Sequence, residues 1–264
     1  MGKNVRRAAM AVLALVFLAS AAMAVRQQLE YRKITADSEE AAQVAGLPVQ
    51  GEAPRDSAGA EASAPPDRPA EEPPEGAAVL AGVNLEALRE INEDVVGWIE
   101  IPGTELSYPL VQGRDNQYYL SHNWKKENSG GGSVFLEATN SRDLSDYHTI
   151  VYAHRMRNDS MFGTLKYYKD ADFWREHPSV FIATVDGVRQ YDIFSAREAG
   201  VKGIVYRLDI RESGLEEDFL RDCMEGSVID TGITPETGEQ ILTLSTCTGN
   251  GHSTRWVVQA VRVG

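Results

Sequence analysis

Residues 83–264 predict a mainly β domain: a closed or nearly closed antiparallel barrel of eight short strands, with helices outside it. Three observations carry that expectation. Eight β-patterned runs fall near 96–101, 106–111, 133–137, 149–153, 179–184, 188–199, 240–246 and 254–263. Turn residues separate them at short intervals. Helical spacing is confined to brief stretches near 84–93, 115–121, 158–175 and 212–225, the last of which lies between the final strands.

Composition divides the 264 residues into three parts, with net charges of +5 over 1–35, −8 over 36–82 and −10 over 83–264, together the −13 of the chain. The first part reads as a membrane anchor or signal region. Its apolar run from Ala8 to Val25 follows Lys3, Arg6 and Arg7 and is just long enough to span a bilayer. Two fates compete, an uncleaved anchor and cleavage after Ala22-Met23-Ala24. Charge does not orient the segment, because Arg26, Arg32 and Lys33 balance the cations before it.

Residues 36–82 are rich in Ala, Pro and Glu and poor in large apolar side chains, so they predict a disordered linker. As a flexible chain it would span roughly 35–40 Å. The remaining stretch, 83–264, is long enough to bury one good core. Its acidic balance argues against nucleic acid as a partner. No Gly-rich phosphate loop or internal repeat is visible.

The two cysteines have different settings. Cys223 shares one side of a helical stretch with Leu215, Phe219, Leu220 and Met224, which predicts a packed thiol. Cys247 ends the run 240–246, and Arg255 opens the next run across the polar loop 248–253. An antiparallel hairpin over these residues brings thiol and guanidinium within reach. Arginine keeps its charge, favours a nearby thiolate and donates hydrogen bonds to a developing oxyanion. Period-2 geometry sets Thr243, Ser245 and Cys247 on one face, against Leu242 and Leu244 on the other. A disulfide between Cys223 and Cys247 would remove the nucleophile.

A proton carrier is also needed. His154 ends the β-run Ile150-Val151-Tyr152-Ala153 and precedes a polar segment, a rim position. His252, in the loop after Cys247, is the serious rival; His122, His148 and His177 are further ones. No set of His, Cys and carboxylates has zinc spacing, so no metal is expected. No Asp or Glu stands out to orient the histidine as in a papain-like triad.

Thr243-Leu244-Ser245-Thr246-Cys247, the Arg eight residues later and Tyr152-Ala153-His154 resemble a sortase, a membrane-anchored cysteine transpeptidase of Gram-positive bacteria. Val96-Gly97-Trp98-Ile99, the stretch Asp115 to Leu120, the segment Met161 to Leu165 and the helix before the last strands resemble the class B form. The resemblance covers roughly 84–264. It implies an eight-stranded sortase-type barrel with N-terminal helices and a helix between the last strands.

The resemblance also implies an activity: Cys247 attacks after a Thr in a C-terminal sorting signal, His154 transfers the proton and Arg255 steadies the oxyanion. It places Asn116 and Leu120 on the peptide groove, with Ser245 and Thr246 beside the nucleophile. The implied partners are surface proteins bearing the signal, and an amine of peptidoglycan precursor or pilin as acceptor. The implied location is the cell membrane, single-pass, with the domain outside and no cofactor. Two other readings stand beside it, a hydrolytic cysteine peptidase and an exported barrel that only binds peptide or wall material.

Overall fold

The computed structural model describes residues 2–48, 75–249 and 251–264. Its eight strands are β1 (Val95–Glu100), β2 (Ser107–Val111), β3 (Val134–Leu136), β4 (His148–Tyr152), β5 (Ser179–Thr184), β6 (Gly187–Gly200), β7 (Ile241–Cys247) and β8 (Thr254–Arg262). They close in the order β1-β2-β3-β4-β7-β8-β6-β5. Each of the eight runs read from the sequence is a strand.

The expectation of an antiparallel barrel is corrected at two seams. Six pairings are antiparallel, but β2 pairs with β3 and β4 with β7 in parallel. A parallel pair needs a crossover rather than a tight turn. The chain supplies one over 112–133, and a much longer one from β4 to β7 through β5, β6 and a helix. Strand patterns do not reveal such direction changes.

Inside the barrel, Ile99, Leu110, Leu136, Val151, Leu242, Leu244, Trp256 and Val258 form the main core. The outer face is covered as well, so most strands are buried on both sides. α5 (Glu216–Glu225) seats Phe219, Leu220 and Cys223 against Tyr147, Phe194, Ile241 and Val261. On the other side, α2 (Glu75–Leu80), α3 (Leu85–Ile91) and the end of α1 (Lys3–Val44) cover Trp98, Phe135 and Phe181.

α1 differs from the sequence expectation at its end. The helix runs past residue 35, and Ile34, Ala41 and Ala45 are buried against the barrel. Trp124 donates its indole N–H to the carbonyl of Asp37 at 3.0 Å, and Lys125 pairs with Glu40 at 2.6 Å. The stretch expected to be a linker from residue 36 is therefore helical to Val44, and its far end forms α2, whose Leu80 is buried. Ala and Glu, read as signs of disorder, are also strong helix formers once a packing surface is present. The rest of that predicted linker, 49–74, lies outside the described residues. Upstream, α1 exposes Val12, Leu13, Val16, Phe17 and Leu18, and the helix is long and apolar enough to cross a membrane.

The helical stretches near 115–121 and 158–175 are also shorter than expected. They reduce to 3₁₀ turns at Tyr118–Leu120 and Thr164–Lys169, followed by α4 (Ala171–Glu176).

His148, at the start of β4, is buried with both ring nitrogens bonded. Nδ1 lies 2.9 Å from the carbonyl of Arg207 and Nε2 lies 2.9 Å from the Thr243 hydroxyl. Burial pushes it down to about 4. Because the unfolded chain, with a value near 6.5, takes the proton first, this group contributes stability above about pH 6.5 that is lost as pH falls toward 4. Urea unfolding should therefore show a loss on the order of 3 kcal/mol from this residue across that window. His148→Asn should be weaker at pH 7 and have a flatter profile between pH 6.5 and 4.

Candidate active site

The site forms where three adjacent strands reach one edge of the barrel. β7 runs between β4 and β8. On one side Cys247 pairs directly with Arg255, the last rung of the β7/β8 ladder. On the other, β4 and β7 run in parallel with Tyr152 opposite Ser245. Extending that register by two residues brings His154 alongside Cys247. The extension is held by hydrogen bonds, Ala153 N–H to the Ser245 carbonyl at 3.4 Å and Thr246 hydroxyl to the Ala153 carbonyl at 2.8 Å. The histidine, cysteine and arginine named from the sequence thus meet at one edge, His154 two residues past β4, Cys247 at the end of β7 and Arg255 near the start of β8.

The alternation along β7 is as expected. Leu242 and Leu244 enter the core, while Thr243, Ser245 and Cys247 face outward. Thr243 and Ser245 are covered, however, and only Cys247 is exposed. Both cysteines are free thiols. Cys223 is packed in the α5 cluster, accepts a hydrogen bond from the Gln259 amide at 2.9 Å, and burial pushes its thiol up to about 12.

His154 donates from Nε2 to the Leu120 carbonyl at 2.8 Å, which fixes the ring. The loop that follows folds back tightly: Phe162 N–H returns to the His154 carbonyl at 3.0 Å, and Met161 and Phe162 are buried. A side chain at Gly163 would come 2.5 Å from the Met156 carbonyl, so only glycine fits there. Arg255 donates to the carbonyls of His252 and Thr254 at 3.1 and 2.9 Å. Its other guanidinium nitrogens have no protein partner among the described residues.

The rival histidines are placed elsewhere. His122 stacks on Tyr118, His148 is locked in the sheet and His177 bonds the Pro102 carbonyl. His252 is exposed in the loop and meets Arg255 through its carbonyl.

The four further residues have distinct positions. Leu120 is 40% exposed beside His154. Asn116 is half-buried, accepting from Ala138 N–H at 2.8 Å and donating to Glu137 at 2.6 Å. Ser245 and Thr246 are both buried, their hydroxyls bonded to the Tyr206 hydroxyl and the Ala153 carbonyl. In this state those two side chains brace the frame of the site.

Two neighbours escaped the sequence reading. Tyr206, in a 3₁₀ turn at Ile204–Tyr206, bonds Ser245 at 2.8 Å, and burial pushes its hydroxyl above the usual tyrosine range. Glu137 ties Asn116 to the Tyr152 hydroxyl at 3.0 Å. Neither residue belongs to a local pattern, so no sequence signal marked them.

A family model described as the sortase domain matches residues 99–263. The chain belongs to the sortase family. Sortase B of Listeria monocytogenes is 36% identical over 165 residues, and sortase B of Staphylococcus aureus 33% over 163. Each match covers 62% of this chain and about two thirds of the relative's own length, 66% and 67%. Among solved structures, a Staphylococcus aureus sortase B–substrate complex aligns with a TM-score of 0.63 at 32% identity, covering 67% of this chain and 83% of that one. Clostridium perfringens sortase B aligns at 0.64 and 32%, covering 69% of this chain and all of that one. This sortase is of class B, as its motifs indicated.

The two thiol environments generate a labelling prediction. Iodoacetamide at neutral pH should modify one thiol of the native sortase, Cys247, and a second only after denaturation. Peptide mapping identifies the residue; native labelling at Cys223 would contradict the packing.

Proposed function

We propose that this sortase is a cysteine transpeptidase that cleaves a C-terminal sorting signal after Thr and transfers the acyl group to an amine. The observation that carries the reading is the placement of exposed Cys247 between His154 and Arg255 on adjacent strands. The Cys247 thiolate attacks the Thr carbonyl, and the free donors of Arg255 meet the oxyanion. His154, protonated, gives its proton to the leaving amine, and a thioester remains. An incoming amine attacks that thioester, gives up a proton to the histidine and expels the thiolate. Asn116 and Leu120 would line the peptide groove, while Ser245 and Thr246 would act through the backbone beside the nucleophile.

The same reading extends to the setting. The apolar part of α1 would hold the enzyme in the cell membrane by a single pass, with the barrel outside. Its donors would be surface proteins bearing the signal, and its acceptor an amine of the wall or a pilin. Mass spectrometry of a peptide acyl-enzyme on Cys247 separates this reading from a binding module. Added amine then separates transfer from hydrolysis: a hydrolase releases free acid whatever amine is present.

Two substitution sets test the roles. Cys247→Ala should abolish cleavage with the unfolding midpoint unchanged, and His154→Ala should lower turnover by about two to four orders of magnitude. His252→Ala should lose far less; the reverse ranking would move the proton transfer to the loop. Arg255→Lys keeps the charge but loses the planar fork of donors, so turnover should fall by about 10²-fold or more while Cys247 stays alkylatable. Near-normal turnover by this variant would shift the oxyanion role to backbone amides.

A further inference from the structure

Cys247 has two sides. Back along β7 lie Ser245, Tyr206 and, across the sheet, the segment of Asn116 and Leu120. Beyond the strand end lies a separate cleft, lined by Arg155, Met156, Arg157, Lys166, Cys247 and Gly249. Three of those six residues are cationic, on a chain whose net charge is −13.

The nearby carboxylates offset only part of this charge. Asp159 pairs with Lys166. Glu198 borders an adjoining hollow together with Arg155, Lys166 and Lys169, and its carboxylate accepts from the Thr254 hydroxyl. Arg155 donates to the Thr248 carbonyl, a neutral partner that leaves its charge in place. Among the described residues Arg155, Arg157 and Lys169 have no ion-pair partner. Arg157 also borders an open groove beside α1, together with Gln28, Tyr31 and Arg32.

We propose that this cleft is an oxyanion subsite that selects amine acceptors carrying a carboxylate or phosphate close to the nucleophilic amine. The inference rests on the transpeptidase reading above and adds an acceptor class to it. With the acyl chain lying back along β7, the attacking amine must arrive from the side the leaving group vacates, beyond the strand end. A simple ammonium would be repelled there. An acceptor with an oxyanion is attracted, and the surrounding cations then favour its neutral amine, the form that attacks the thioester. The guanidinium forks of Arg155 and Arg157 match the geometry of a carboxylate or phosphate.

Two experiments on the full-length protein test this, one of them without any peptide substrate. The first compares alkylation of Cys247 by anionic iodoacetate and neutral iodoacetamide. In the Arg157→Gln/Lys166→Gln variant the iodoacetate-to-iodoacetamide rate ratio should fall by about three- to tenfold, and the wild-type ratio should itself fall as salt rises. An unchanged ratio overturns the subsite.

The second compares transfer to Nα-acetyllysine with transfer to its amide, and to phosphoethanolamine with transfer to ethanolamine. The wild type should prefer the anionic member of at least one pair, and the variant should lose the preference; the pair that discriminates more names the oxyanion. Equal use within both pairs overturns the acceptor assignment. If no acyl-enzyme forms from any sorting peptide, the transpeptidase reading fails, while the alkylation ratio still decides whether the cleft attracts anions.

Discussion

The parallel pairing of β4 with β7 is the constraint on which the site depends. Two parallel strands end at the same edge of a sheet, whereas antiparallel neighbours end at opposite edges. His154 follows the end of β4 and Cys247 is the end of β7, so only the parallel arrangement makes them neighbours. β8 then returns antiparallel and carries Arg255 next to its first residue at that edge. Reversing either relationship would separate the three groups by the length of a strand, about 15–20 Å for strands of five or six residues. The long excursion through β5, β6 and α5 is what this geometry requires of the chain.

Register matters as much as direction, and a buried polar layer under α5 holds it. His148 on β4 meets Thr243 on β7 at 2.9 Å, and Gln259 on β8 reaches the same hydroxyl at 3.4 Å and Cys223 at 2.9 Å. From β6, Ser195 donates to the Cys223 carbonyl at 2.8 Å, and Arg197, paired with Asp222, contacts Gln259. These bonds link four successive strands and the covering helix. A slip of one residue in β7 would break several of them in a dry environment and turn Leu242 and Leu244 outward. It would also turn Cys247 into the core. The second cysteine and the most buried histidine, which look like rivals for chemistry, thus help to specify the register on which the exposed thiol depends.

How much was legible beforehand follows from which interactions are local. Strand positions, the β7–β8 hairpin and the exposure of Cys247 come from alternation and short turns, both properties of neighbouring residues. The parallel seams are not local, and their strands look like any others. Residues 36–44 read as linker in the sequence because Ala and Glu serve equally in a solvated tether and in a helix; what decides is the surface offered by Trp124, 87 residues beyond the Asp37 it meets. The spacing of Asn116 and Leu120 predicts a helical turn, yet the backbone forms only a 3₁₀ turn at Tyr118–Leu120. Leu120 then contributes a carbonyl to His154 as well as an exposed side chain. Tyr206 reaches Ser245 from 39 residues away in sequence, a separation at which no spacing rule operates.

The hydrogen bonds at the site also bear on where affinity for a peptide arises. His154 rests on the Leu120 carbonyl, and Arg255 on the carbonyls of its own turn. A bond to the unpartnered Arg255 nitrogens would contribute about 1 kcal/mol, while a peptide carbonyl that takes the His154 donor would replace an existing bond with a similar one and add little net free energy. What it adds is position, because the donors accept only a backbone laid along the strand ends. On the proposed reading, most of the affinity would then come from apolar contact. Leu120, whose carbonyl meets His154, and Tyr118 two residues before it are 40% and 38% exposed and would supply such a surface. Burying a Leu-sized side chain is worth about 1.5–3 kcal/mol, more than an exchanged hydrogen bond returns. On the proposed reading, recognition on this edge would divide between polar groups that align the scissile carbonyl and an exposed apolar turn that retains the peptide.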